Sequence, residues 1–104
     1  MARNKGVRAM LRVGRRRSYA GGRLGIYPVY WGDVYVGYLE KLKTTSTWLQ
    51  PYRAFLCIKE FYGHAAEAEC IGAFYPEDGG KKAALDNLLV ARDRALEEGR
   101  IKEE

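Results

Sequence analysis

The sequence is short of several things on which a chain of 104 residues could rely. Two cysteines are too few for a disulfide framework, so a hydrophobic core must hold the fold. A single histidine, His64, leaves acid–base chemistry and metal binding without an obvious centre. No apolar run approaches the roughly 18 residues of a membrane-crossing helix. Near the start, Arg12 interrupts the apolar run AMLRV, so a signal-peptide core is not expected there. The default location is therefore cytoplasmic: host cytoplasm, or a virion if the chain is viral. The glycine-rich pieces GGRLG and EDGGKK lack the spacing of a phosphate-cradling loop. Ser18 and Ser46 have no evident base beside them. No enzyme is expected, and no cofactor or metal.

The most informative absence is of acid at the start. Residues 1–23 contain no Asp or Glu, but they hold Arg3, Lys5, Arg8, Arg12, Arg15, Arg16, Arg17 and Arg23. The remaining residues carry ten basic and thirteen acidic groups, a balance of −3 within an overall +5. The chain thus divides into a basic arm, 1–23, and a mildly acidic body, 24–104. Gly6 and Gly14 limit any helix in the arm to about two turns, which is marginal alone, and Ala20-Gly21-Gly22 reads as a joint. Arginines spaced among Gly, Ser and Tyr suit phosphate contacts, with Tyr19 free to stack on a base. The alternatives are a solubilising tail or an organelle transit peptide, which is also arginine-rich and acid-poor.

The body alternates in the manner of strands. Ile26–Leu42, IYPVYWGDVYVGYLEKL, places Gly32-Asp33 between two aromatic and β-branched runs, a hairpin signal. A regular register pairs Trp31 with Val34, Tyr30 with Tyr35, Val29 with Val36 and Tyr27 with Tyr38. Pro28 cannot donate to a ladder and points to an edge or a bulge. Tyr52–Tyr62 and Ala66–Tyr75 read as a second hairpin, turned at Gly63-His64, with Cys57 opposite Cys70. That register sets Phe55, Cys57, Phe61, Ala68, Cys70, Gly72 and Phe74 on the face toward a helix. Tyr52, Leu56, Ile58, Glu60, Glu67, Glu69, Ile71 and Tyr75 fall on the other. It also opposes Glu60 to Glu67, which is unfavourable, and a one-residue slip is the alternative.

After Pro76-Glu77-Asp78, the residues Ala84, Leu85, Leu88, Leu89, Ala91, Ala95 and Leu96 recur at helical spacing, and Gly99 stops the helix. The expected fold is α+β: a small antiparallel sheet of three to five strands, in two hairpins, packed on one long C-terminal helix. Cys57, His64 and Cys70 do not make a metal site, because an extended chain separates His64 from Cys70 by roughly 20 Å. Reduced core thiols are favoured over a cross-strand disulfide.

Cys70-Ile-Gly-Ala-Phe74 followed by KKAALDNLLVARDRAL resembles the end of the plant ethylene-response-factor type domain. Trp48, Ala54 and Ile58 loosely echo its W-x-A-x-I strand. That domain, like the arm-binding domains of tyrosine integrases, lays a three-stranded sheet in the DNA major groove and backs it with a helix. The resemblance covers roughly residues 48–96 and implies the fold. It transfers no base-reading residues, because the family's reading strands carry arginine and tryptophan where the expected outer face here carries carboxylates.

Tyr27, Tyr30, Trp31, Tyr35, Tyr38 and Trp48 crowd the first half of the chain, on both faces of the first hairpin. One helix covers only one face, so a second cover is expected: the arm, a second copy or another protein. Two functions follow. The first is non-enzymatic binding of DNA or RNA through the arm, with little sequence specificity. The second is a structural or assembly subunit of a virion or large complex, or a phage protein that binds a host protein, using the aromatic set as its interface.

Overall fold

Leu24–Trp31 (β3) and Val34–Leu42 (β4) form the expected hairpin about Gly32-Asp33 in the computed structural model, which describes residues 10–43 and 50–101. Tyr52–Phe61 (β5) and His64–Phe74 (β6) form the second. Two short strands, Leu11–Val13 (β1) and Arg17–Tyr19 (β2), precede them, and one helix, Gly80–Glu97 (α1), follows. The architecture is α+β, an antiparallel sheet in the order β1-β3-β4-β5-β6, with β2 also paired to β3. The strand count exceeds the expected three to five, because part of the basic arm joins the sheet.

β1 and β2 are two halves of one broken edge strand. β1 pairs with the end of β3, Val13 opposite Val29, and β2 pairs with its start, Arg17 opposite Ile26. The break between them faces Pro28. The Gly14 N–H still donates to the Pro28 carbonyl at 2.7 Å, but Pro28 has no N–H to return. The ladder therefore fails where proline requires it to fail. At Gly14 a Cβ would stand 2.8 Å from the Pro28 ring, so the close approach also needs glycine there.

The first hairpin keeps the expected pairs Trp31–Val34 and Tyr30–Tyr35, then departs from regularity. Val29 lies opposite Gly37 rather than Val36, Tyr27 opposite Leu39, and Tyr38 opposite Pro28. Val36 is the extra residue of a β-bulge. The bulge turns both Val36 and Leu39 into the core while Tyr35 and Tyr38 point the other way.

The second hairpin turns at Tyr62-Gly63, one residue earlier than expected, with both residues at positive φ (48° and 78°). Cys57 consequently lies opposite Ala68 and Phe55 opposite Cys70, and Lys59 opposes Glu67, which removes the Glu60–Glu67 clash. Both cysteines are free, Cys57 buried and Cys70 exposed.

Over most of the second hairpin the helix packs on the face opposite to the expected one, although Phe74 keeps its expected side. Its fully buried Ala84, Leu88 and Ala95 meet Val29, Val36, Leu39, Ala54 and Leu56, with Tyr52, Ile58, Ile71 and Phe74 around them. Phe55 and Cys70 face away. The helix ends as Gly99 predicts: Gly99 N–H donates to Leu96 O (3.2 Å) and Arg100 N–H to Ala95 O (2.9 Å), with Gly99 at φ +73°, a Schellman closure. Among the described residues no helix is long and apolar enough to cross a membrane.

Candidate functional site

The bulge and the register decide which side chains share the face that the helix leaves open. On β3 and β4 these are Ile26, Pro28 and Tyr30 with Tyr35, Tyr38 and Glu40, since Tyr30 pairs with Tyr35, Pro28 with Tyr38 and Ile26 with Glu40. β5 adds Phe55 opposite Tyr38 and Arg53 opposite Glu40. The broken edge strand adds Arg12 opposite Tyr30, Arg17 opposite Ile26 and Tyr19 opposite Leu24.

These rings and charges touch one another. Tyr38 and Phe55 stack with centroids 4.7 Å apart and planes at 14°. Tyr30 and Tyr35 meet edge to face at 5.8 Å. The Arg12 guanidinium lies 4.4 Å from the centre of the Tyr30 ring, a cation–π contact. Glu40, the one carboxylate of this row, has an oxygen 3.9 Å from Arg53. The surface is a half-buried aromatic row bordered by Arg12, Arg17 and Arg53.

Burial raises the Tyr35 phenol well above its ordinary value, with Cys57, Tyr38 and Tyr30 adding to the shift and Arg17 opposing it. Burial raises Tyr38 as well, helped by Glu40 and Cys70. Both hydroxyls therefore stay protonated at neutral pH and can donate hydrogen bonds. Burial, with Glu60 nearby, pushes the Cys57 thiol up to about 11, so it is no nucleophile at neutral pH.

The residues singled out from sequence are divided by the fold. Of the aromatic set, Tyr30, Tyr35 and Tyr38 share the open face. Tyr27 and Trp31 lie on the helix side and pack against the core, where Lys81 of α1 stands 5.7 Å from the Tyr27 ring. Trp48 lies outside the described residues. Of the basic set, Arg12 and Arg17 reach the open face together with Tyr19, which is exposed. Arg15 is exposed within the break of the edge strand, and Arg23 lies beside the turn that follows β2. Arg16 turns to the other side, over Gly25, where it donates to Ser18 Oγ and to the Gly22 carbonyl (2.9 Å). Arg3, Lys5 and Arg8 lie outside the described residues.

Phe55 and Arg53 belong to the site, although the regular register puts Phe55 against the helix and nothing in the sequence pattern sets Arg53 apart. Their signal is the alternation Arg53, Phe55, Cys57 against Ala54, Leu56, Ile58. It shows two apolar faces without saying which one the helix takes. Arg92, on the buried side of α1, is another such residue. It sits four residues after Leu88 and three before Ala95, in phase with the apolar stripe.

Among the described residues no group of three His, Cys, Asp or Glu side chains could hold a metal ion. His64 stands exposed at the start of β6, beside the hairpin turn. Compared with family models, with curated proteins and with solved structures, the chain has no significant match in any of the three.

Proposed function

We propose that this chain binds single-stranded nucleic acid without catalysing a reaction, laying bases on the helix-free face. The observation that carries this reading is the row Tyr30, Tyr35, Tyr38 and Phe55, with Tyr19 beyond it, bordered by Arg12, Arg17 and Arg53. Aromatic side chains on an open sheet offer stacking surfaces to unpaired bases, worth about 1–3 kcal/mol per base. Arginines at the rim meet the phosphates between them. A stacking platform needs no base-edge readout, so weak sequence preference follows. The rest of the basic arm, with Arg3, Lys5 and Arg8, adds positive charge to the same end of the chain.

Fluorescence anisotropy with labelled single-stranded DNA and RNA tests the reading on the full chain. Tyr38→Ala with Phe55→Ala weakens binding by at least tenfold, and removing residues 1–9 weakens it less. Unchanged affinity of the double variant, or no binding by the parent chain at low salt, overturns the proposal.

A second reading, an assembly subunit, is favoured by the tip of the β5–β6 hairpin. Phe61 and Tyr62 are 63% and 87% exposed there, and their rings contact each other rather than the core. Light scattering on the full chain against Phe61→Ser with Tyr62→Ser tests it. A monomer in both cases removes self-assembly through the tip.

A further inference from the structure

β4 and β5 pair only from Gly37–Leu56 to Glu40–Arg53. Beyond Gly37 the two strands separate. Val34 to Val36 remain with β3, and Cys57 to Phe61 follow β6. The sheet is split at this end, and the split opens a cleft of about 560 Å³, within the size range of small-molecule sites. Val34, Tyr35, Cys57 and Lys59 line its strand walls, with Arg92 and Ile101 on the helix side.

Arg92 is an unusual residue to find there. It is 9% exposed, the one charged residue buried among the described ones. It rides on α1 between fully buried Leu88 and Ala95, so its stem crosses the apolar interface and its head reaches the split. Among the described residues it has no hydrogen-bond or ion-pair partner. Of the other charges that line the cleft, Arg100 and Glu60 make contacts of their own, whereas Lys59 and Glu67 face each other across the ladder. Arg100 bonds Glu69 and lies 3.7 Å from Glu98, and Glu60 Oε2 accepts from the Gly63 N–H (3.2 Å). No nitrogen of the Arg92 guanidinium is both sealed from solvent and without a partner, so the unpaired head opens into the cleft, where it is free to meet an anion.

We propose that the split between β4 and β5 is an oxyanion-binding site with Arg92 at its floor. The group bound is a phosphate or a carboxylate, held by the planar fork of the guanidinium. Lys59 at the wall is balanced by Glu67 opposite it, so the positive charge that draws the anion is that of Arg92, and the protonated Tyr35 hydroxyl is a neutral donor. The inference stands apart from the proposed function, but the two surfaces meet at Tyr35, which lines the cleft and belongs to the aromatic row. The bound oxyanion can thus come from a free small molecule or from the terminal phosphate of a strand lying on that row.

Amide and arginine Nε NMR titrations of the full-length chain decide the matter, using inorganic phosphate, adenosine monophosphate, and an oligonucleotide with and without a 5′-phosphate. Saturable shifts at Val34–Val36, Cys57–Lys59, Ile101 and Arg92 Nε are expected with at least one phosphate probe. Arg92→Met is expected to weaken that binding at least tenfold, and to be about as stable as the parent when no anion is present, since methionine keeps an apolar stem in the interface and removes only the head that opens into the cleft. Shifts with adenosine monophosphate or phosphate support a free ligand; a preference confined to the 5′-phosphorylated strand supports the terminal phosphate. No saturable shift in the parent chain with any probe overturns the site, whatever the folding of the variant, and so does binding by Arg92→Met equal to the parent. Failure of the unphosphorylated oligonucleotide to bind at all counts against the proposed function and leaves the phosphate and adenosine monophosphate results standing.

Discussion

Gly37 and the carbonyl of Phe55 approach so closely that a side chain on Gly37 would collide with that oxygen. A Cβ there would also come within 3.2 Å of the Cys57 nitrogen, and φ is +153°, a conformation that side-chain-bearing residues rarely adopt. Gly37 is the last residue at which β4 pairs with β5, and it follows the bulge residue Val36. The contact therefore fixes both the phase of Tyr38 on the open face and the point at which the sheet splits.

Gly37→Ala forces backbone apart at the centre of the sheet. Overpacking and strain each cost about 1–3 kcal/mol, so a loss of about 3 kcal/mol is expected in urea unfolding. Gly21→Ala is the control. An added methyl there would have nothing within 4 Å, but φ is +69°, so this variant carries only the conformational part of the cost. Equal losses at the two positions would show that the Phe55 approach is not tight.

Core truncation distinguishes the two sides of α1. Leu88 is fully buried against the sheet, whereas Val90 is 57% exposed on the other side. Leu88→Ala is expected to cost about 3 kcal/mol, and Val90→Ala about 0.5 kcal/mol or less. Similar values for the two would place the helix on the sheet in a different rotation.

The two thiols report the face assignment chemically. Cys70 is exposed and reacts with a disulfide reagent at pH 8, while Cys57, 7% exposed, waits for unfolding. One fast thiol in the native chain and two in denaturant are expected, with no internal disulfide on a non-reducing gel. The raised thiol also has a consequence for stability. The folded chain holds the Cys57 proton up to about pH 11, whereas the unfolded chain releases it near 9.0. Between these values the unfolded state binds fewer protons, so stability falls as pH rises through that window. The raised Tyr35 and Tyr38 phenols extend the decline in the same direction. Cys57→Ala removes the thiol's share of that decline, which unfolding at pH 8 and pH 11 measures.

Much of the architecture is legible in the sequence because it rests on local signals. Gly32-Asp33 closes the first hairpin, the stripe from Ala84 to Leu96 makes the helix, and Gly99 ends it. The face of the second hairpin is not legible, because Phe55 and Cys57 are as apolar as Ala54, Leu56 and Ile58, and a period of two cannot choose between two apolar sides. The turn falls one residue early for a related reason. Tyr62 at φ 48° is in a conformation that a bulky residue seldom takes, so Gly63-His64 is the more economical reading of the sequence. The inversion matters for the candidate site. The carboxylate Glu69, assigned from sequence to the outer face, instead pairs with Arg100 at the helix end. The outer face carries aromatics and arginines instead, with Glu40 its one carboxylate beside Arg53.

Charge placement supplies the sharpest test of that face. Arg12 and Arg17 border the aromatic row, whereas Lys82 and Arg94 belong to α1, behind the sheet. Replacing either pair by glutamine lowers the net charge equally, so a long-range attraction responds alike to both. Phosphate contacts on the open face do not. Each phosphate that a single strand no longer has neutralised reduces the slope of log K against log salt by about 0.7. Arg12→Gln with Arg17→Gln is therefore expected to lower the slope by about 1.4 and to weaken binding most at low salt. Lys82→Gln with Arg94→Gln should leave the slope within experimental error of the parent. Equal slopes for the two double variants would mean that strands are held by net charge alone, and that the aromatic row serves a protein partner.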